Sequence, residues 1–205
     1  MIAWMALREG SARGDVVEGE RPTEFSSHPD SREHFMQTPL NRELLANNTC
    51  FGCGLENPLG LRIEVRHDPN SQHTLQAHFT PADHMAGFPN ITHGGAIYTA
   101  LDCLSTWVAT LLGPNRGAAW LLRSAQVTYH KPAATGSPLT LIGRIKEQGG
   151  PWEPVVVVTE ARSSDGAVCV ETVFKVVPLS HSRFAEVAGI PQLPANWRAF
   201  LTGAA

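Results

Sequence analysis

The sequence predicts an α+β fold: one long apolar helix packed on an antiparallel sheet of about six strands. Three observations lead there. Apolar residues recur at three- and four-residue spacing through Ile97, Ala100, Leu101, Leu104, Val108, Leu111 and Leu112. Six other stretches read as strands, by alternation or by a short apolar run such as Val155 to Val158, two before that helix and four after it. The 205 residues are 42% hydrophobic and 17% charged, which is enough for a buried core and too apolar for wholesale disorder.

The first strand is expected near 61–66, with Leu61, Ile63 and Val65 facing inward and Arg62, Glu64 and Arg66 outward. His67-Asp-Pro-Asn-Ser then turns the chain into a second strand carrying Leu75, Ala77 and Phe79. The helix follows, stopped by Gly113 and Pro114. Four strands come next, near 120–131, 138–147, 153–162 and 167–177. Ser164-Asp165-Gly166 forms the hairpin turn between the last two. The helix is apolar over most of its circumference, so the sheet must wrap around it.

The two ends read differently. Residues 1–45 are polar and aperiodic, which predicts a mobile tail with a short helix near Leu40–Ala46. Residues 181–205 are broken by Pro191 and Pro194 and read as an irregular extension, with Asn196 capping a last turn of WRAFL.

Composition excludes several classes. The net charge of −3 argues against a nucleic-acid partner. Four cysteines are too few for a disulfide scaffold and fit a reducing cytoplasm. The first residues lack a signal-peptide core, and Ala96 to Leu112 is too polar for a membrane span, so no membrane partner is expected.

Two features carry chemistry. His93-Gly94-Gly95 opens the helix, where the first amides have no internal partner and the helix dipole is positive. Glycines there allow close approach, so the turn suits a carbonyl oxygen that becomes negative. An HGG sequence is equally compatible with a plain tight turn capped by Asn90 or Thr92. The second feature is Asp102, inside an apolar helix with Thr99, Ser105 and Thr106 as its helical neighbours. A carboxylate in a partly dry place suits a general base or nucleophile, or else a tie to a neighbouring strand. Nine residues separate His93 from Asp102, about 13 Å along the helix and on nearly opposite faces. If both serve one substrate, the second must come from another subunit, which implies a homodimer or a dimer of dimers.

The segment His84-Met-Ala-Gly-Phe-Pro-Asn-Ile-Thr-His-Gly-Gly-Ala-Ile-Tyr-Thr-Ala-Leu-Asp resembles the signature of the hotdog-fold thioesterases, in their phenylacetate-pathway and THEM-like acyl-CoA thioesterase branch. Cys50-Phe-Gly-Cys-Gly-Leu-Glu-Asn-Pro-Leu-Gly-Leu upstream and Tyr129-His-Lys-Pro with Thr135-Gly downstream extend the likeness over about residues 48–178. The resemblance implies a hotdog domain over 46–180 that hydrolyses acyl-CoA thioesters without a cofactor. It assigns Asp102 as base or nucleophile, the Gly94 amide as oxyanion donor and His93 as a positioning residue. Substrate contacts would come from Gly95, Asn90, Met85, Phe88, Thr106, Ser124 and Lys131, with the acyl group between subunits. Two positions depart from the family pattern. Cys103 stands where a second acid often follows the helix Asp, and Leu122 stands where THEM-like members place a Thr.

Cys50-Phe-Gly-Cys53-Gly resembles half a zinc knuckle, but no second pair follows at knuckle spacing and His84 would have to fold back. The expectation is therefore a loop with packed or free thiols and no metal. Arg116, Arg123, Lys131 and Arg144 are the nearest bases for CoA phosphates. Two other functions compete: a hotdog enoyl-CoA hydratase or dehydratase, which moves protons on the acyl chain, and a module that binds acyl-CoA without turnover.

Overall fold

The computed structural model describes residues 38–202. Its main sheet has six strands: β1 (Glu64–Asp68), β2 (Ser71–Phe79), β5 (Ala119–Tyr129), β6 (Leu139–Glu147), β7 (Val155–Arg162) and β8 (Val168–Leu179). They lie in the order β1-β2-β6-β7-β8-β5, each pair antiparallel. Helix α2 (Gly94–Leu112) packs across β2 and β5–β8. The α+β expectation therefore holds, strand by strand.

Alternating burial along the strands builds the core. In β7, Val155, Val157 and Ala161 are buried with Thr159, while the residues between them are half-buried. They meet Ala100, Leu101, Leu104 and Val108 of α2, with Phe174 of β8 and Leu139 and Leu141 of β6. The buried Thr159 hydroxyl meets that of Thr172 at 2.6 Å, so neither is left unpaired. By length and composition alone α2 could cross a bilayer, yet half of it is covered by the rest of the chain.

Four features differ from the sequence reading. Strand β1 starts at Glu64 because Arg62 takes left-handed backbone, φ 55°. A small second sheet, β3 (Ala86–Phe88) with β4 (Ile91–Thr92), precedes the helix, turning at Asn90 in left-handed conformation (φ 62°). Residues 1–37 of the expected mobile tail lie outside the described residues, but its last part is packed. Helix α1 (Leu40–Glu43) buries Leu40 and Asn41, and Leu45 is also buried. The C-terminal stretch is helical and not irregular. Helix α3 (His181–Ala188) starts at Ser180, whose hydroxyl accepts from the Arg183 amide, and α4 spans Ala195–Thr202. Asn196 lies within α4 and donates to the Ala46 carbonyl at 2.9 Å, tying the two ends of the domain together.

The two edges of the sheet are treated differently. Asn41 covers the β1 side. Its Nδ2 donates to the Cys53 and Ile63 carbonyls at 2.7 and 2.9 Å, and its Oδ1 accepts from the Val65 amide at 3.2 Å. Strand β5, at the other edge, pairs only with β8, and Arg123 to Gln126 are exposed. Asn41→Ala strands three backbone groups at a buried place. It should lower unfolding free energy by about 3 kcal/mol, read as a shift of the urea midpoint.

Candidate active site

Helix α2 presents its chemical groups at two separate places. At its start, His93 is the N-cap, not Asn90 or Thr92. Its Nδ1 accepts from the Gly95 amide at 2.9 Å. The His93 amide in turn donates to the Met85 carbonyl at 2.7 Å, so the 3-10 turn Asp83–Met85 sets the position of the cap. Gly95 is thereby satisfied. The Gly94 amide has no partner among the described residues. A Cβ on Gly94 would lie 2.7 Å from Cε1 of Tyr129, so the ring rests where a side chain would otherwise stand.

These groups line an open groove of about 790 Å³. Phe88, 73% exposed, and Lys131 lie along it with His93, Gly94 and Tyr129. Thr92 also lines it. The residue is 5% exposed and its hydroxyl has no partner among the described residues, an unusual state for a buried polar group.

Asp102 opens onto a different cavity of about 410 Å³, and no residue lines both. Its walls are mostly apolar: Trp107, Ala119, Trp120, Leu121 and Leu122 come from α2 and β5, and helices α3 and α4 roof it with Phe184, Trp197 and Phe200. Trp107 and Phe200 stack tilted at 4.9 Å. The half-buried Asp102 carboxylate accepts no hydrogen bond among the described residues, and burial followed by the nearby Cys50 pushes its pKa up. The hydroxyl stripe does not serve the carboxylate. Ser105 and Thr106 donate to the Asp102 carbonyl at 2.7 and 3.3 Å, and Thr99 to the Gly95 carbonyl at 2.9 Å.

The expected site residues thus fall into groups. Gly94, His93, Phe88 and Lys131 share the groove, and Asp102 and Thr106 share the cavity. Met85, Asn90 and Gly95 line neither and hold the turn by backbone bonds. Ser124 is exposed on β5 beside the bulge between Leu122 and Ser124, where Arg123 is extra. Among the four bases, only Lys131 lines the groove; Arg116, Arg123 and Arg144 line neither space. Leu122 lies in the Asp102 cavity.

The sequence did not announce Tyr129 as a wall of the groove, Thr92 as a donor unpaired among the described residues, Tyr98 beside Asp102, or the place of Cys103 beside the two loop thiols. Tyr98, one turn before Asp102, has its pKa raised by burial and then by the Asp102 charge. Cys103 joins Cys50 and Cys53, so that three sulfurs lie within 4.8 Å of one another. Spacing could not show this, because the third thiol comes from the helix and not from a second CxxC.

Residues 89–169, from the turn before the helix into β8, match the family model of the thioesterase superfamily. No curated protein matches the chain. A solved thioesterase superfamily protein is 25% identical over 63% of this chain with a TM-score of 0.55, and the match spans 60% of that protein's own length. The PaaI protein of E. coli, from the phenylacetic acid degradation operon, is 16% identical over 58% of this chain and 81% of its own, with a TM-score of 0.51. A Streptococcus mutans protein bound to acetyl CoA is 17% identical over 58% of this chain and 89% of its own, with a TM-score of 0.50. The fold is the hotdog arrangement, and the resemblance read from the sequence holds.

Proposed function

We propose, from the premise that this chain has the hotdog fold of the thioesterase superfamily, that it hydrolyses acyl-CoA thioesters at a site shared between two copies. The observation that carries the reading is Asp102: a half-buried carboxylate at the wall of an apolar cavity, with no hydrogen-bond donor among the described residues. Such a group is costly to keep unless its basicity is used. The free Gly94 amide at the positive end of α2 supplies the complementary part, a donor for the oxygen that gains charge.

In this reaction Asp102 takes a proton from water as it attacks the thioester carbon, or attacks that carbon itself to form an acyl anhydride that water then cleaves to the free acid and the Asp102 carboxylate. The carbonyl oxygen becomes anionic against the Gly94 amide, the carbon–sulfur bond breaks, and the CoA sulfur leaves and is protonated. His93 keeps the turn in shape by holding the Gly95 amide, leaving Gly94 free. Lys131 in the groove offers a cation to the CoA phosphates. The apolar cavity beside Asp102 receives the acyl group.

Within one chain the two halves lie in separate spaces. The exposed edge of β5 supports pairing of two copies there, with the helices antiparallel across a two-fold axis. Cytoplasmic residence is part of the same proposal, and four thiols left free are compatible with it.

The test is a panel of acyl-CoAs followed by thiol release. Hydrolysis frees one thiol per turnover, and chains matching the apolar cavity should give the highest kcat/KM. Change in enoyl absorbance without thiol would mean a hydratase, and saturable binding without either would mean a carrier. Both results would overturn the reading.

A further inference from the structure

Cys50 and Cys53 come from the loop before β1, and Cys103 comes from α2. Their three sulfurs lie within 4.8 Å of one another, and those of Cys50 and Cys103 are 3.7 Å apart. A zinc ion bonded to thiolates at about 2.3 Å sets sulfurs about 3.8 Å apart along a tetrahedral edge. The Cys50–Cys103 separation already matches that edge, and the third sulfur lies within 4.8 Å of both.

The loop is shaped before any ion arrives. The Asn48 side chain accepts from the Cys50 amide at 2.9 Å and donates toward the Cys53 sulfur at 3.4 Å. The Gly54 amide donates to the Cys50 carbonyl at 2.9 Å, closing the knuckle-like turn. The Leu61 and Ile63 amides hold the Phe51 and Gly52 carbonyls at 2.7 and 3.1 Å, and Asn41 holds that of Cys53. Gly52 faces the Cys103 sulfur so closely that any Cβ there would collide with it. The glycine between the two loop thiols is what lets the helix thiol in.

We infer that Cys50, Cys53 and Cys103 form a three-thiolate site for a zinc-class divalent ion, one per chain. All three line the 410 Å³ cavity, so the fourth position is reached from that space and filled by water. Three convergent sulfurs favour a thiophilic ion over magnesium or calcium, which need oxygen ligands. Asn48 stands behind the Cys53 sulfur as the second-layer donor that thiolate sites use. Binding displaces the remaining thiol protons, so affinity rises with pH. Cys169, bonded toward the Ala167 carbonyl on β8, lies outside the group. The ion site stands independently of the hydrolytic reading, because its evidence is the thiol geometry.

The test uses the full chain, reduced and stripped with a chelator, and titrated with cobalt(II) alone. Thiolate-to-cobalt charge-transfer absorption should grow to one ion per chain and vanish when zinc is added. Cys50→Ser and Cys103→Ser should each weaken cobalt binding at least about tenfold, and Cys169→Ser should leave it unchanged. Zinc should raise the Tm of the parent and not of Cys50→Ser. Cys50 is only partly buried, so that variant keeps the test open if Cys103→Ser does not fold. Absence of charge-transfer absorption in the reduced parent would overturn the site, as would an unchanged band in Cys50→Ser.

Discussion

Asp102→Asn should lower kcat for thioester hydrolysis at least about a hundredfold while the chain still folds. The amide keeps the shape of the carboxylate and removes its basicity. A second measurement separates a functional acid from a structural one. Asp102 has a raised pKa because burial, and then Cys50, disfavours its charge. An acid whose folded value exceeds its unfolded value, about 3.9, binds more protons in the folded state. The stability this provides is complete below the unfolded value and is lost as pH rises through the folded one. Asn carries no such penalty. On chelator-treated protein, Asp102→Asn should therefore melt higher than the parent at neutral pH, with the margin closing in acid. For the same reason the acid limb of kcat/KM in the parent should lie above the ordinary carboxylate range. A variant that is both fully active and less stable would contradict the assignment on both counts.

Subunit mixing should restore activity between two dead chains. Gly94→Val places a side chain against the Tyr129 ring, where a Cβ alone would lie at 2.7 Å, and it obstructs the Gly94 amide, which has no partner among the described residues. Asp102→Asn removes the base. In a shared-site dimer, a mixed pair has one site with both defects and one with neither. Random exchange of equal amounts makes half the dimers mixed, so recovery should reach roughly a quarter of parent activity. Both variants must first be shown to fold, and exchange must be shown by a mass-tagged chain. Mixed dimers without activity would refute the sharing of Gly94 and Asp102 across subunits.

The helix and the six strands were legible because their patterns are clean. Val155 to Val158 is a compact β-branched run, and Ile97 to Leu112 keeps helical spacing throughout. What escaped depended on contacts distant in sequence. Nothing near Leu40 announces that Asn41 will bind carbonyls at 53 and 63. The chain after His181 is short, amphipathic and punctuated by prolines, and it gains its helices by roofing Trp107 and Leu122. At the site, the HGG turn and Asp102 could be placed by helical geometry alone. The identity of the cap could not, because His93 competes with Thr92 and Asn90 through a side-chain bond of its own. The hydroxyls around Asp102 misled because spacing gives a side chain's face and not its partner.

The unequal edges of the sheet set a limit on growth. A strand edge is a reactive end, and a sheet with two such ends can add copies indefinitely, as a difunctional monomer does. Here Asn41 takes the Val65 amide of β1 and the Ile63 and Cys53 carbonyls beside it, which caps that end where the strand begins and leaves β5 as the open one. A monofunctional unit joins once and stops. Removing the Asn41 amide group would reopen the second end, and its signature would be species larger than a closed pair, growing with concentration in sedimentation.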